Sequence, residues 1–482
     1  MTDSIPSNLS RRAMLQTASC GFGYLALAGL CNPSGGATVT APLAGATKSF
    51  SPMAPKQPPL QARAKRVIML FMRGGPSHLD GFDYKPSLEK FHDKSMQADQ
   101  FPEGAKAKSS NLILMRSPFE FTPHGKSGLP ISSVFPNLAK HADDLCLINS
   151  MHHKTPIHLQ GVQMMHTGHF QFIRPSTGSW VTYGLGAETT DLPGYVVMNP
   201  LREAMQCYNS AFLPAAYGAT PINVSGEASK SIRNVANPRL TADQQKAQLA
   251  LIQSMNRKFA SQAPGASELE AVIESYERGF AMQSGVPRVL DMTGESPATL
   301  EAYGVGKGGK GGTGGFGLQC LMARRFAEQG VRFIELNHGS WDHHGDINKS
   351  YASAAKAIDQ PIAALLQDLK DRGMLDETLV IWGGEFGRTS WKDGAAERQG
   401  RGHNSAGFTY WMAGGGIKGG MRYGATDETG TFAAENKVSV HDLQATILHQ
   451  LGLDHWNLTY KYGGRDYRLS DVDGKVVNGI IA

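Results

Sequence analysis

Continuous apolar runs, each closed by glycine or by a polar turn, organise this chain. Arg66-Val67-Ile68-Met69-Leu70-Phe71-Met72 runs into Arg73-Gly74-Gly75-Pro76 with no polar alternation. A run of that length, apolar on both faces, predicts a buried parallel strand. The same reading predicts strands at 145–148, 195–198, 331–336, 378–382 and 408–412. Residues 157–166, 317–329 and 347–372 read instead as helices, the last interrupted at Pro361. A final core helix reads as 443–451, with Asp442 as its N-cap. Alternation of strand and helix predicts an α/β fold: a doubly wound, mostly parallel central sheet with helices on both faces.

The middle of the chain changes character. Leu249, Leu251 and Ile252 mark one amphipathic helix, and Leu269, Val272, Ile273 and Tyr276 mark another. They predict a helical insertion around 240–300. Residues 304–316 are saturated with glycine, but lack the Gly-Lys-Ser/Thr ending and the preceding strand of a phosphate-binding loop. They read as a flexible surface loop.

The N-terminus reads as a targeting segment. Ser10-Arg11-Arg12-Ala13-Met14-Leu15-Gln16 resembles a twin-arginine export motif, and a short Gly- and Ala-rich apolar run follows. With Ala44-Gly45-Ala46 as the cleavage site, residues 1–46 form the signal peptide, 47–65 a Pro/Ala/Lys linker and 66–482 the folded domain. The expected location is the periplasm or the exterior, with no stable membrane span in the mature chain. The formal net charge of +5 includes this basic leader, so nothing points to nucleic-acid binding. Of the five cysteines, Cys20 and Cys31 fall in the leader. Cys146, Cys207 and Cys320 are odd in number and widely spaced, which suits neither a disulfide framework nor a zinc knuckle.

The chemistry concentrates where strands end. Asn337-His338-Gly339-Ser340-Trp341-Asp342-His343-His344 follows the strand at 331–336. Asp342 and His344 offer an oxygen and an imidazole to one ion, with His338 and His343 as spare ligands or supporting donors. Glu385 follows the strand at 378–382 across Gly383-Gly384, and Arg388 comes three residues later. A carboxylate for a cation beside an arginine for an oxyanion suits phosphoryl or sulfuryl transfer; a surface ion pair is the alternative. His403 sits in a Gly-rich loop between Arg401 and Asn404. Asp80 and Asp83 suit metal ligation equally with helix capping or an Asp turn. Within His152-His153-Lys154-Thr155-Pro156-Ile157-His158, Thr155 is the nearest hydroxyl nucleophile and Lys154 an anion binder, and His158 or His403 is the candidate proton donor. Asp471-Val472-Asp473-Gly474 lacks the rest of a calcium loop and reads as a turn.

These strings together resemble a known family. Arg73-Gly74-Gly75-Pro76-Ser77-His78-Leu79-Asp80, Trp341-Asp342-His343-His344-Gly345, Gly384-Glu385-Phe386-Gly387-Arg388-Thr389, Arg401-Gly402-His403-Asn404 and His441-Asp442-Leu443-Gln444-Ala445-Thr446 resemble the bacterial family called domain of unknown function 1501. The resemblance runs from about residue 64 to 482. That family is similar to the alkaline phosphatase and sulfatase superfamily, which hydrolyses phosphate or sulfate esters with one or two metal ions. The resemblance implies an alkaline-phosphatase-like fold, with Asp342, His344, Glu385 and His403 as metal ligands. Arg73 and Gly74 stand where the superfamily's first core strand ends in an aspartate, so Asp80 is the implied substitute. Lys154-Thr155-Pro156-Ile157-His158 lacks the Cys/Ser and the arginine of the sulfatase string, so formylglycine chemistry is not implied.

The resulting expectation is an exported hydrolase of sulfate or phosphate esters, dependent on a divalent ion (zinc, calcium or magnesium). Its partner is an anionic ester or a sulfated glycan. The alternative is a non-catalytic protein on the same fold, binding sulfated glycans or another exported protein. A place in an exported redox assembly has less to support it, since no haem or iron–sulfur motif is present.

Overall fold

The computed structural model describes residues 51–97, 111–224, 239–260, 266–306, 314–393 and 399–482. The signal-peptide reading and most of the glycine-rich loop lie outside the described residues. Residues from Phe50 onward form one compact unit.

Its centre is a nine-stranded sheet. In chain order its strands begin with β1 (Arg66–Met72), β2 (Leu145–His152), β3 (Tyr195–Met198), β4 (Thr220–Ile222), β5 (Phe333–His338) and β6 (Thr378–Gly383). A separate two-stranded hairpin follows, β7 (Gly387–Lys392) and β8 (Arg401–Asn404). β9 (Phe408–Ala413), β10 (Met421–Tyr423) and β11 (Val438–Ser439) return to the sheet. The order across it is β10-β2-β9-β6-β1-β5-β3-β4, with β11 also on β2. β1 pairs in parallel with both β5 and β6, and among the described strands β9 alone runs antiparallel to its neighbours in this sheet. The strands read from their apolar runs thus share one mostly parallel sheet.

Burial explains the missing alternation in β1. Ile68, Leu70 and Met72 enter a core with Leu321 and Phe326 of α5 (Gly314–Glu328) and Ile358 and Leu365 of α6 (Ile347–Asp371). Val67, Met69 and Phe71 enter a second core. There they meet Val162 of α1 (His158–Thr167), Trp180 of α2 (Thr177–Leu185) and Ile447 of α7 (Val440–Gln450). Alternate residues of one strand therefore face different cores, and every position must be apolar.

Three local expectations are corrected. α6 is continuous across Pro361: Ile358, Ile362 and Leu365 pack in one core and hold both halves on one axis despite the lost backbone donor. The N-cap of α7 is Ser439, not Asp442. Ser439 Oγ accepts from Asp442 N, and Asp442 returns a bond to Ser439 N, which makes Asp442 the third residue of a capping box. β5 begins two residues later than its apolar run and ends at His338, because Asn337 and His338 still pair with Phe71 and Met72.

Two long helices, α3 (Ala242–Ala260) and α4 (Ala266–Leu290), occupy the middle region. The described part of the 47–65 segment is not a free linker. Met53 and Ala64 are buried, and Lys56 and Ala64 donate backbone bonds to Leu185 and Gln450.

Candidate metal centre

The carboxyl ends of β1, β5 and β6 release three loops that cross one another, at the sheet edge where α/β folds place ligands. Two glycines make the crossing possible. Gly74, at φ +113°, passes so close that a Cβ there would lie 2.6 Å from Asp342 N. Its own N–H donates to Glu385 Oε1 at 2.9 Å. Gly161 of α1 lets the helix settle on the β6 loop, where a Cβ would lie 3.1 Å from Glu385 Cβ. His158, the first residue of α1, is thereby brought to Glu385, and its Nδ1–H donates to Oε1 at 2.7 Å.

Three imidazoles converge on Asp342, each steadied from behind. His158 is held by Glu385. His344 Nδ1 donates to Asp393. His403, carried on β8 opposite Arg388 of β7, donates from Nδ1 to the Pro156 carbonyl at 2.9 Å. With Nδ1 committed in every ring, the Nε2 atoms face Asp342. Those of His344 and His403 lie 2.8 and 3.1 Å from Oδ1, and that of His158 lies 3.3 Å from Oδ2. His344 and His403 bring their Nε2 atoms within 3.0 Å of each other. His158, Asp342 and His403 offer donor atoms that all lie within 4.8 Å of one another.

The electrostatics are those of a crowded anion–imidazole centre. Burial raises the Asp342 carboxyl, but contacts from His158, His403 and Arg388 outweigh it and hold the group well below the usual carboxylate range. Burial lowers His158, yet the nearby Asp342 and Glu385 carboxylates raise it to about 9. A neutral ring with its proton on Nδ1 turns an Nε2 lone pair toward the carboxylate, which repels it. The arrangement needs protons on these nitrogens or a cation among them. His158 Nε2 is buried and makes no well-directed hydrogen bond, despite its 3.3 Å approach to Asp342. Imidazole nitrogens with a carboxylate, each imidazole backed by a second acceptor, are the donor set of a zinc-type site. Calcium and magnesium prefer all-oxygen shells.

Several expected site residues take other places. Glu385 is fully buried and spends its oxygens on Gly74 N and His158, so it orients a donor. Asp80 is not among the converging donors. It forms a fully buried pair with Arg401, at 2.7 Å from Nε, and also accepts from Ser77. Arg388 does not present its guanidinium to an oxyanion at the surface. Its guanidinium is fully buried and bonds the carbonyls of Gly74, Gly75, Trp341 and Arg401, and Asp342 Oδ1 at 2.6 Å. Thr155 is buried, with Oγ1 donating to Gln160 at 2.6 Å, which removes it as a ready nucleophile. Lys154 is exposed and lines a different cavity. His338 and His343 stay outside the cluster; burial lowers both to about 4 and leaves them neutral.

Sequence reasoning missed two contributors. Asp393 sits in an Asp-Gly pair that reads only as a turn. His153 is buried, and its ring donates to the Glu385 carbonyl at 2.5 Å, fixing the loop beneath His158. Nothing in the sequence signals a contact between residues so far apart.

Among solved structures, the chain is similar to Ps i-CgsB crystallised with k-i-k-neocarrahexaose, at 12% identity and TM-score 0.34, over 83% of this chain and 73% of that one. It is similar to the PsFucS1 sulfatase from Pseudoalteromonas sp., at 12% identity and TM-score 0.33, over 81% and 68%. A TAB5 alkaline phosphatase mutant with Mg bound in its M3 site gives 11% identity and TM-score 0.31, over 83% and 100%. At such scores these likenesses carry no inference about ligand or activity. No curated protein matches the chain. The family described as Protein of unknown function (DUF1501) matches residues 64–481, and the chain belongs to that family.

Proposed function

We propose that this is an exported, metal-dependent hydrolase of sulfate or phosphate esters, built on a doubly wound, alkaline-phosphatase-like core. The observation that carries the metal is the convergence of three imidazole Nε2 atoms on Asp342, with every Nδ1 already bonded. His158, His344, His403 and Asp342 would hold the ion, and the nitrogen-rich set favours zinc over calcium or magnesium. A divalent cation bound there supplies Lewis acidity toward an ester oxygen and lowers the pKa of water.

The chain's own groups set the geometry. Glu385 and Asp393 fix the orientation of the His158 and His344 rings. Arg388 turns Asp342 toward the rings and neutralises part of the carboxylate charge.

A second reading keeps the same donors without catalysis: a binding protein for sulfated glycans. The burial of Thr155 favours it, because the hydroxyl expected as nucleophile is already bonded to Gln160. Metal analysis of purified protein, followed by assays on aryl sulfate and aryl phosphate esters, separates the two. Turnover that chelation abolishes and zinc restores supports the hydrolase. A metal-loaded protein inert toward both ester classes supports the binding reading. Protein that takes up no metal contradicts both.

A further inference from the structure

The loop from His152 to His158 serves two places. Pro156 and His158 belong to the donor cluster, whereas His152 and Lys154 line a cavity of about 690 Å³ that none of the three donor imidazoles touches. Its size falls within the roughly 300–1,000 Å³ of ordinary ligand pockets. Lys154, Lys437 and Lys475, from three separate segments, all line it. Among the described residues, none of these three uses its Nζ in a hydrogen bond or an ion pair.

Two of the three acidic groups in the lining are engaged. Asp442 closes the α7 capping box and accepts from Lys475 N at 2.7 Å. Asp471 is held by Arg174 and Arg465. Asp473 is 68% exposed, with its nearest cationic partner, His441, 3.9 Å away. With the two arginines on Asp471 counted, five cations (Lys154, Lys437, Lys475, Arg174 and Arg465) face three aspartates, a positive balance of two. Burial lowers the His152 pKa and Lys437 lowers it further, against the opposing pull of Asp442. His169 accepts from the Gln171 and Phe172 amides through Nδ1, which leaves the proton of its neutral ring on Nε2 as a further donor. Trp456 supplies an apolar platform; its indole is 45% exposed, with the Arg468 guanidinium 5.0 Å from the ring.

We propose that this cavity binds an oligosaccharide carrying sulfate or phosphate groups. The three ammonium groups take its anionic oxygens, and Trp456 takes the apolar face of a sugar ring. Cations from separate segments suit anionic groups spaced along a chain better than one inorganic ion. The proposal does not depend on hydrolysis at the donor cluster.

Calorimetry on the full chain tests it with three probes: a sulfated, a phosphorylated and an uncharged hexasaccharide. At least one charged probe binds, more weakly as salt rises, and the uncharged one does not. The triple variant Lys154→Gln, Lys437→Gln, Lys475→Gln weakens binding about ten-fold or more and flattens the salt dependence. Trp456→Ala weakens binding but keeps the salt dependence. Chelation and His403→Ala leave binding intact, which separates this site from the metal centre. No binding of either charged probe overturns the proposal. So does wild-type affinity in the triple variant, or binding that chelation abolishes and the lysine changes spare.

Discussion

Two histidine–carboxylate centres in this protein use the same chemical parts to opposite ends. In one, His166 and Glu335 are both buried beneath the sheet edge. His166 donates from Nδ1 to the Val162 carbonyl and from Nε2 to Glu335, at 2.7 and 2.8 Å. Glu335 also accepts from Tyr195 and Asn337. Both ring nitrogens and both carboxylate oxygens are consumed. Burial lowers the His166 pKa, but Glu335 raises it more, so the ring carries a charge as part of a closed network. In the other centre, each ring spends one nitrogen on a partner and turns the second toward Asp342, which is 45% exposed. The difference is that three ring nitrogens crowd one half-exposed carboxylate instead of each pairing with its own buried acceptor. A closed centre stabilises the fold; an open one waits for a ligand.

The comparison is broken most severely by uncoupling the closed pair. Glu335→Ala leaves a buried imidazolium without its counter-charge and is expected to cost about 3–5 kcal/mol. Chemical denaturation reads this loss, while metal content in the folded fraction stays at the wild-type level. A variant that instead loses metal while keeping its stability would reverse the two assignments.

Next comes the support behind the open centre. Glu385→Gln keeps the shape but weakens the acceptor behind His158, and metal affinity should fall about 10–100-fold. Competition against a chromogenic chelator measures it. Unchanged affinity would show that Glu385 only ties Gly74 to the β6 loop. Asp393→Asn should act in the same direction and less strongly, because its side chain is 41% exposed and water can replace it. An effect larger than that of Glu385→Gln would rank His344 above His158 as the principal donor.

The smallest effect is in pH. His158 is raised from 6.5 to about 9 in the metal-free protein. Its charged form therefore contributes stability that is fully present below pH 6.5 and is lost as pH rises through about 9. A cation needs the same nitrogen unprotonated, so the gain in melting temperature on adding zinc should grow across that window. A gain independent of pH would remove His158 from the ligand set.

How much of this was legible in the sequence depends on what holds each feature in place. β1, β5 and β6 were readable because burial on both faces forces continuous apolar runs. β7 was not: Gly387-Arg388-Thr389-Ser390-Trp391-Lys392 is polar yet mostly buried, held by bonds such as those from Arg388 to four carbonyls. Asp342 and His344 were readable as candidate donors from their place directly after a strand, and His403, in a Gly-rich loop, through the family resemblance. The division of labour was not. Whether Glu385 meets an ion or the back of His158 depends on α1 closing over Gly161, which composition does not encode. Arg388 and Asp80 looked available for the same reason: a sequence shows charges, and only packing shows which are already paired.

The central claim is that the open centre takes up a metal through Asp342 and its imidazoles. The most direct test is metal content per chain, measured by mass spectrometry after zinc loading and desalting, in wild type, Asp342→Ala and Glu335→Ala side by side. The account predicts at least about one zinc per wild-type chain, near zero in Asp342→Ala and wild-type content in folded Glu335→Ala. A wild-type chain that retains no zinc, or an Asp342→Ala chain that keeps it all, would contradict it.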